Sequence, residues 1–93
     1  MMGMFSIAKQ NAAVLFDSGA SHTFINRAFV MRYQLPIEVV DNSFYIQSLG
    51  GRLVTQEVVY LIPVDLVGHT FPTNLIVLKG QDIDVILGMN WLY

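Results

Sequence analysis

Asp17 is the side chain in this sequence with the clearest potential for chemistry. It follows an apolar run over residues 12–16 and precedes Ser18 and Gly19. A short run that is apolar on both faces is typical of a strand buried on both sides. The sequence therefore predicts a carboxylate at the end of a buried strand, in a chain where only 13% of the residues are charged.

Three interpretations of Asp17 compete. Asp, Ser and Gly all favour turns, so the tripeptide could be a plain turn. A nucleophilic triad with Ser21 and His22 is disfavoured, because neighbouring residues of an extended segment point to opposite faces and no G-x-S-x-G elbow is present. The third interpretation is an aspartic-protease carboxylate, one of two that lie close together and share one proton.

The third interpretation accounts for more of the surroundings. The ionised carboxylate takes a proton from the attacking water, while the protonated one polarises the peptide carbonyl. Gly19 allows backbone N–H groups to approach the carboxylate, and Ser18 supplies a hydroxyl beside it. The sequence has one D-S-G, and Asp41, Asp65, Asp82 and Asp84 lack its context. A pair therefore requires two chains related by a two-fold axis, each contributing Asp17.

Two segments carry a family resemblance. "VLFDSGASHTFI" and "LIVLKGQDIDVILGMNWL" resemble the retropepsin-like proteases of gypsy-type retrotransposons, especially those of plants. The first segment matches the signature D-S-G-A-S-H-x-F-I, and the second matches D-V-I-L-G-M-D/N-W-L. The resemblance implies an aspartic endopeptidase that acts as a homodimer on a peptide or polyprotein and needs neither cofactor nor metal.

The resemblance also assigns roles to residues. It makes Asp17 catalytic and extends the active-site loop over Ser18, Gly19 and Ala20. A hairpin over about residues 44–58 would be the flap that closes over substrate. The tip of the flap would consist of Leu49, Gly50 and Gly51. The segment that packs behind the active site would consist of Ile86, Leu87 and Gly88.

Related proteases continue beyond the second signature, so the expected fold is an all-β retropepsin-like half-barrel, C-terminally truncated, with one or two short helices. Two alternatives stay open. One is an inactive or domesticated module of the same fold that dimerises or binds peptides. The other is the protease domain of a proteasome shuttle adaptor, which "GASHTFI" fits less well.

The elements that must position Asp17 are mostly strands. Runs at 5–8 and 12–16 flank "KQN" as a hairpin, and "NRAFVMRYQLP" predicts a helix capped by Asn26 and stopped by Pro36. From residue 42 the pattern is β: "NSFYIQSL", a run over 51–67, "FPTNLIVL" after a Gly68-His69 turn, and "DVIL". Period two in the long run places one set of side chains on its buried face, with a bend near Pro63: Val54, Val58, Tyr60, Ile62, Val64 and Leu66.

Composition excludes several classes. With a net charge of −2 and no basic cluster, nucleic acid is not an expected ligand. The absence of cysteine excludes disulfides and thiol chemistry, and the two histidines give little support for a metal site. No apolar run approaches the roughly 18 residues of a membrane helix, and no signal peptide is recognisable. We expect one domain over residues 1–93 in an intracellular soluble protein.

Several other side chains have simpler predicted roles. Phe24 is expected in the core, and His22 as a structural hydrogen-bonding residue. Trp91 is expected to anchor a last helix begun by "MNWLY". The remaining charges are predicted to be solvated at the surface: Arg27, Arg32, Asp82 and Asp84.

Overall fold

The computed structural model describes residues 2–48 and 51–88. These residues form strands with one short helix, which confirms the all-β prediction. The elements, in chain order, are β1 (Met2–Ile7), β2 (Gln10–Phe16), β3 (Phe24–Asn26), α1 (Arg27–Arg32), β4 (Glu38–Ser48), β5 (Gly51–Leu66), β6 (His69–Leu78) and β7 (Val85–Leu87). "MNWLY" and Trp91 lie outside the described residues.

The strands form one sheet that closes on itself. Its order is β1-β2-β7-β3-β6-β5-β4, and β1 also pairs with β5 through Ser6 and Ile7. The closure makes a six-stranded barrel to which β4 is added at the outer edge of β5. A closed sheet leaves fewer unpaired backbone groups than an open one.

The short strand β7 lies between β2 and β3. It runs parallel to β2, with Val14 opposite Val85 and Phe16 opposite Leu87, and antiparallel to β3. Its two inward side chains, Val85 and Leu87, are fully buried in the core of the barrel. The register fixes where the end of β2 lies relative to the end of β7.

Two hydrophobic clusters hold the fold. The large one fills the barrel, and its members come from β1, β2, β3, α1, β5, β6 and β7. The small one consists of Phe24, Ile76 and Leu78, with partly buried residues of β4, β5 and β7 packed against it. The large cluster stabilises the barrel, while the small one joins β4 and the start of β5 to it.

Helix α1 forms where the sequence predicts it. The Asn26 side chain accepts the Ala28 N–H at its start, and Phe29 and Val30 are buried. Its end differs from the prediction, because α1 stops at Arg32 and Gln34 takes a φ of 53°. The left-handed residue ends the helix before Pro36 is reached.

The inward face of β5 differs from the period-two prediction. Val58 and Val59 are both buried, whereas Tyr60 is exposed and Leu61 is 70% exposed. The register with β6 shifts between Val59 and Ile62, and Leu61 has a φ of 54°. This bulge resets the alternation. Of the predicted buried positions, Val58, Ile62 and Val64 are buried, whereas Val54 and Tyr60 are exposed.

The predicted break and turn in this region also move. Pro63 pairs with Pro72 inside the ladder, so the irregularity lies at Leu61 instead. The turn between β5 and β6 consists of Val67 and Gly68, both with positive φ, and His69 already pairs with Leu66. Two positive φ values match the twist that a two-residue hairpin needs.

Within residues 2–48 and 51–88, no helix has the length and apolar character to cross a membrane.

Candidate active site

Asp17 is the first residue after β2. Its N–H donates to the Leu87 carbonyl oxygen at 3.0 Å, which continues the parallel pairing of Phe16 with Leu87. The residue is half-buried in the single chain. The backbone that carries the carboxylate is therefore fixed by the end of β7.

The loop after Asp17 folds back onto it. The Gly19 N–H donates to Oδ1 of Asp17 at 2.9 Å, and the Ala20 N–H donates to the Asp17 carbonyl at 3.1 Å. A Cβ at position 19 would lie 3.2 Å from Oδ1, which is closer than an ordinary contact. Glycine thus permits the approach that orients the carboxylate.

Gly88 supports this loop from behind. Its N–H donates to Thr23 Oγ1 at 3.2 Å. A Cβ at position 88 would overlap the carbonyl oxygen of His22 and lie 2.8 Å from that of Ala20. The loop over residues 20–23 therefore rests directly on a position where only glycine fits.

A cleft of about 390 Å³ opens between the Asp17 loop and the β4–β5 hairpin. Its floor and one wall come from the loop, β3, β7 and the segment after β6. Tyr45, Ile46, Gln47 and Leu53 of the hairpin form the facing wall. The full lining is Asp17, Gly19, Ala20, Ser21, His22, Phe24, Tyr45, Ile46, Gln47, Leu53, Leu78, Gln81 and Ile86.

The lining combines one carboxylate with both polar and apolar side chains. Phe24, Leu78 and Ile86 provide apolar surface close to the Asp17 loop. The His22 ring lies edge-on to Phe24 and Phe44, with centroids 6.2 and 6.1 Å away. Among the described side chains, no three His, Asp or Glu residues are grouped so that they would hold a metal ion.

The predicted site residues are distributed around this cleft. Ser18 is exposed at the loop, Ile86 lines the cleft from β7, and Leu87 is buried in the barrel. Gly51 begins β5 opposite Ser48, with a φ of 120°. Leu49 and Gly50, the rest of the predicted flap tip, lie outside the described residues. The roles assigned to all of these residues stay predictions.

Two residues predicted as solvated surface charges are partly buried and have protein partners. Oδ2 of Asp84 accepts the Ala13 N–H at 2.8 Å, and Nε of Arg27 lies 3.0 Å from Oε1 of Glu57. Asp84 stands directly before an apolar strand, as Asp17 stands directly after one. That position was the available signal that its carboxylate belongs to the sheet and not to the solvent.

The sequence model of one family, described as retroviral aspartyl protease, matches residues 1–93. The structure is similar to the retroviral protease-like domain of Ddi1 from Leishmania major, with a TM-score of 0.68 and 22% identity, over 99% of this chain and 71% of that one. It is also similar to EIAV protease complexed with the inhibitor HBY-793, with a TM-score of 0.75 and 22% identity, over 99% and 84% of the two chains. At this identity the likeness shows the fold, and it confirms the retropepsin-like prediction.

Proposed function

The chain belongs to the retroviral aspartyl protease family, and on that premise we propose that it is an aspartic endopeptidase active as a homodimer. Its substrate is the polyprotein of a gypsy-type retroelement. The observation that carries the proposal is the place of Asp17, whose carboxylate lines the cleft and is oriented by the Gly19 N–H. A peptide cleaved in this cleft would lie between the Asp17 loop and the β4–β5 hairpin.

The proposed chemistry requires two copies of Asp17. One carboxylate, ionised, accepts a proton from water as the water oxygen attacks the scissile carbonyl carbon, while the other, protonated, donates a hydrogen bond to the carbonyl oxygen. The proton taken from the water is then passed to the peptide nitrogen as the C–N bond breaks, which releases the amine and a carboxylic acid. In the proposed dimer the two carboxylates lie within hydrogen-bond reach of each other and hold one proton between them. The cleavage rate should therefore pass through a maximum at acidic pH.

The surroundings of Asp17 suit this role. The Leu87 carbonyl and the Gly19 N–H fix the backbone and the carboxylate before substrate arrives, and fixed geometry lowers the cost of reaching the transition state. The apolar part of the lining, which includes Phe24, Leu78 and Ile86, offers a place for apolar substrate side chains. In this proposal the hairpin with Tyr45 and Leu53 is the flap that closes over the peptide and excludes water.

Replacing Asp17 by Asn tests the catalytic role. Asp17→Asn removes the proton acceptor but keeps the volume of the side chain, so we expect cleavage of a peptide library to cease while the β-rich circular dichroism spectrum is retained. Asp82→Asn is the matched control, because Asp82 is an exposed aspartate outside the cleft lining, and it should cleave at the parental rate. Equal cleavage by D17N and the parent would rule out the proposal.

Mixing the two chains tests the pairing. Adding excess D17N to a fixed amount of parent should suppress cleavage, because a mixed dimer contains only one Asp17 carboxylate. Sedimentation of the same samples gives the fraction of monomer. Where monomers dominate, the cleavage rate should rise with the square of the protein concentration. Unchanged activity in the mixture, from a chain that sediments as a monomer, contradicts a shared pair. Peptide binding without cleavage by both chains would instead favour a peptide-binding module.

A further inference from the structure

Asp84 links three strands just before β7 begins. Its N–H donates to the Ala13 carbonyl at 3.1 Å, and its own carbonyl accepts the Asn26 N–H at 2.8 Å. Its side chain adds a third bond, since Oδ2 accepts the Ala13 N–H at 2.8 Å. One residue thereby connects β2, β3 and the start of β7.

The carboxylate of Asp84 takes the place of a missing backbone acceptor. The ladder between β2 and β7 begins at Val14 and Val85, so no β7 carbonyl is available to the Ala13 N–H. A half-buried N–H without a partner is costly. Oδ2 of Asp84 supplies the acceptor and extends the contact between the strands by one residue.

We propose that Asp84 is a positioning residue for Asp17, an inference that rests on the proposed function. The path runs through β7, from Asp84 to Leu87, whose carbonyl accepts the Asp17 N–H. The two hydrogen bonds between Asp84 and Ala13 hold the three-residue strand in register with β2. A shift of such a short strand would present another backbone group to Asp17 and move its carboxylate.

The test compares substitutions at Asp84 with a matched loss of stability elsewhere. Asp84→Ala removes the acceptor, while Asp84→Asn keeps an oxygen that can accept the same N–H. Val64→Ala is the control, because Val64 is fully buried in β5 and is not paired with β2 or β7. Cleavage rates are measured per folded dimer, and exchange of the Asp17 amide is followed by NMR.

We expect D84A to lower kcat by about 10- to 100-fold with little change in KM, since displacement of a reacting group acts on kcat. The Asp17 amide should exchange at least about tenfold faster in D84A, because its bond to Leu87 opens locally. D84N and Val64→Ala should both keep the parental kcat. In both, exchange of the Asp17 amide should change no more than the exchange of amides that open only by global unfolding. If D84A does not fold, Asp84→Glu keeps the acceptor but adds a methylene, and it should show both effects in weaker form.

The outcomes separate this inference from the proposed function. Absence of cleavage by the parent overturns the proposed function, and amide exchange then decides on Asp84 alone. Unchanged Asp17 exchange in D84A, or in D84E where D84A does not fold, overturns the positioning role. An equal loss of kcat in Val64→Ala overturns it too, because the effect would then follow from stability and not from the link to β7.

Discussion

The two sides of the cleft are built differently. One side, the floor, comprises residues 17–23 and 85–88, and the other, the arm, comprises residues 44–48 and 51–55. In the floor, Val85 and Leu87 are fully buried, and backbone bonds join the Asp17 loop to β7. In the arm, Tyr45 is 68% and Val54 57% exposed.

The difference lies in what each side packs against. The floor belongs to the closed barrel and contributes Val85 and Leu87 to the large cluster, while its Ala20 and Ile86 pack against the small one. The arm contacts only the small cluster, through the partly buried side chains of Phe44, Ile46 and Leu53. Regions with few buried apolar contacts open at lower free energy than the core does. The fold thus holds the carboxylate firmly, and we expect the arm to open at a lower free energy than the floor.

The largest effect is expected from a substitution in the floor. In Gly88→Ala the new Cβ overlaps the His22 carbonyl oxygen, and neither backbone can yield without breaking the β7 pairing. We expect a loss of about 3 kcal/mol or more in the free energy of unfolding, measured with urea. Gly68→Ala is the control, because its Cβ meets no atom within 4 Å and only the φ of 79° is strained, which costs about 1–2 kcal/mol. A smaller loss for G88A than for G68A would contradict this account of the floor.

The same substitution in each cluster compares the two sides directly. Leu75→Ala opens a cavity at a fully buried position of the barrel and should cost about 3 kcal/mol or more. Leu53→Ala removes a half-buried side chain of the arm and should cost about 1 kcal/mol. Amide exchange in L53A should rise in the arm and stay parental in the floor. Faster exchange spread evenly over both would show that the arm and barrel open together.

The smallest effect is expected at an ion pair between α1 and the part of β5 that follows the arm. Arg27 and Glu57 form an ion pair between α1 and β5, with side chains 33% and 29% exposed. Solvent screens pairs of this kind, so a double-mutant cycle with Arg27→Ala and Glu57→Gln should give a coupling of less than about 1 kcal/mol. The coupling should shrink further in high salt. A value above about 2 kcal/mol would contradict the solvent screening of this pair.

Strands and the start of the helix were predictable where a local pattern decides them. The apolar runs around Asp17 and over "DVIL" became β2 and β7, and Asn26 caps the one helix. Local chemistry is sufficient here, because burial on two faces and an N-cap each leave a direct sequence signal. The position of Asp17 at a strand end was predictable for the same reason.

What escaped prediction depends on contacts between distant residues. The bulge at Leu61 is stabilised by a hydrogen bond from its N–H to Asn74 Oδ1. The alternation of apolar and polar residues in β5 does not predict it. Asp84 looked like a surface charge because its partner, Ala13, lies at the other end of the sequence. Arg27 likewise finds Glu57 only once β5 has folded beside α1.

The position of β7 has a consequence for the order in which the chain is made. β2 and β3 are synthesised early, yet they do not pair with each other, and the strand between them comes last among residues 2–88. On the ribosome, the Asp17 amide cannot form its bond to the Leu87 carbonyl until Leu87 has emerged. A nascent chain therefore carries its carboxylate without the geometry to use it. For a chain proposed to cut polyproteins, this order delays cleavage until translation has passed residue 88.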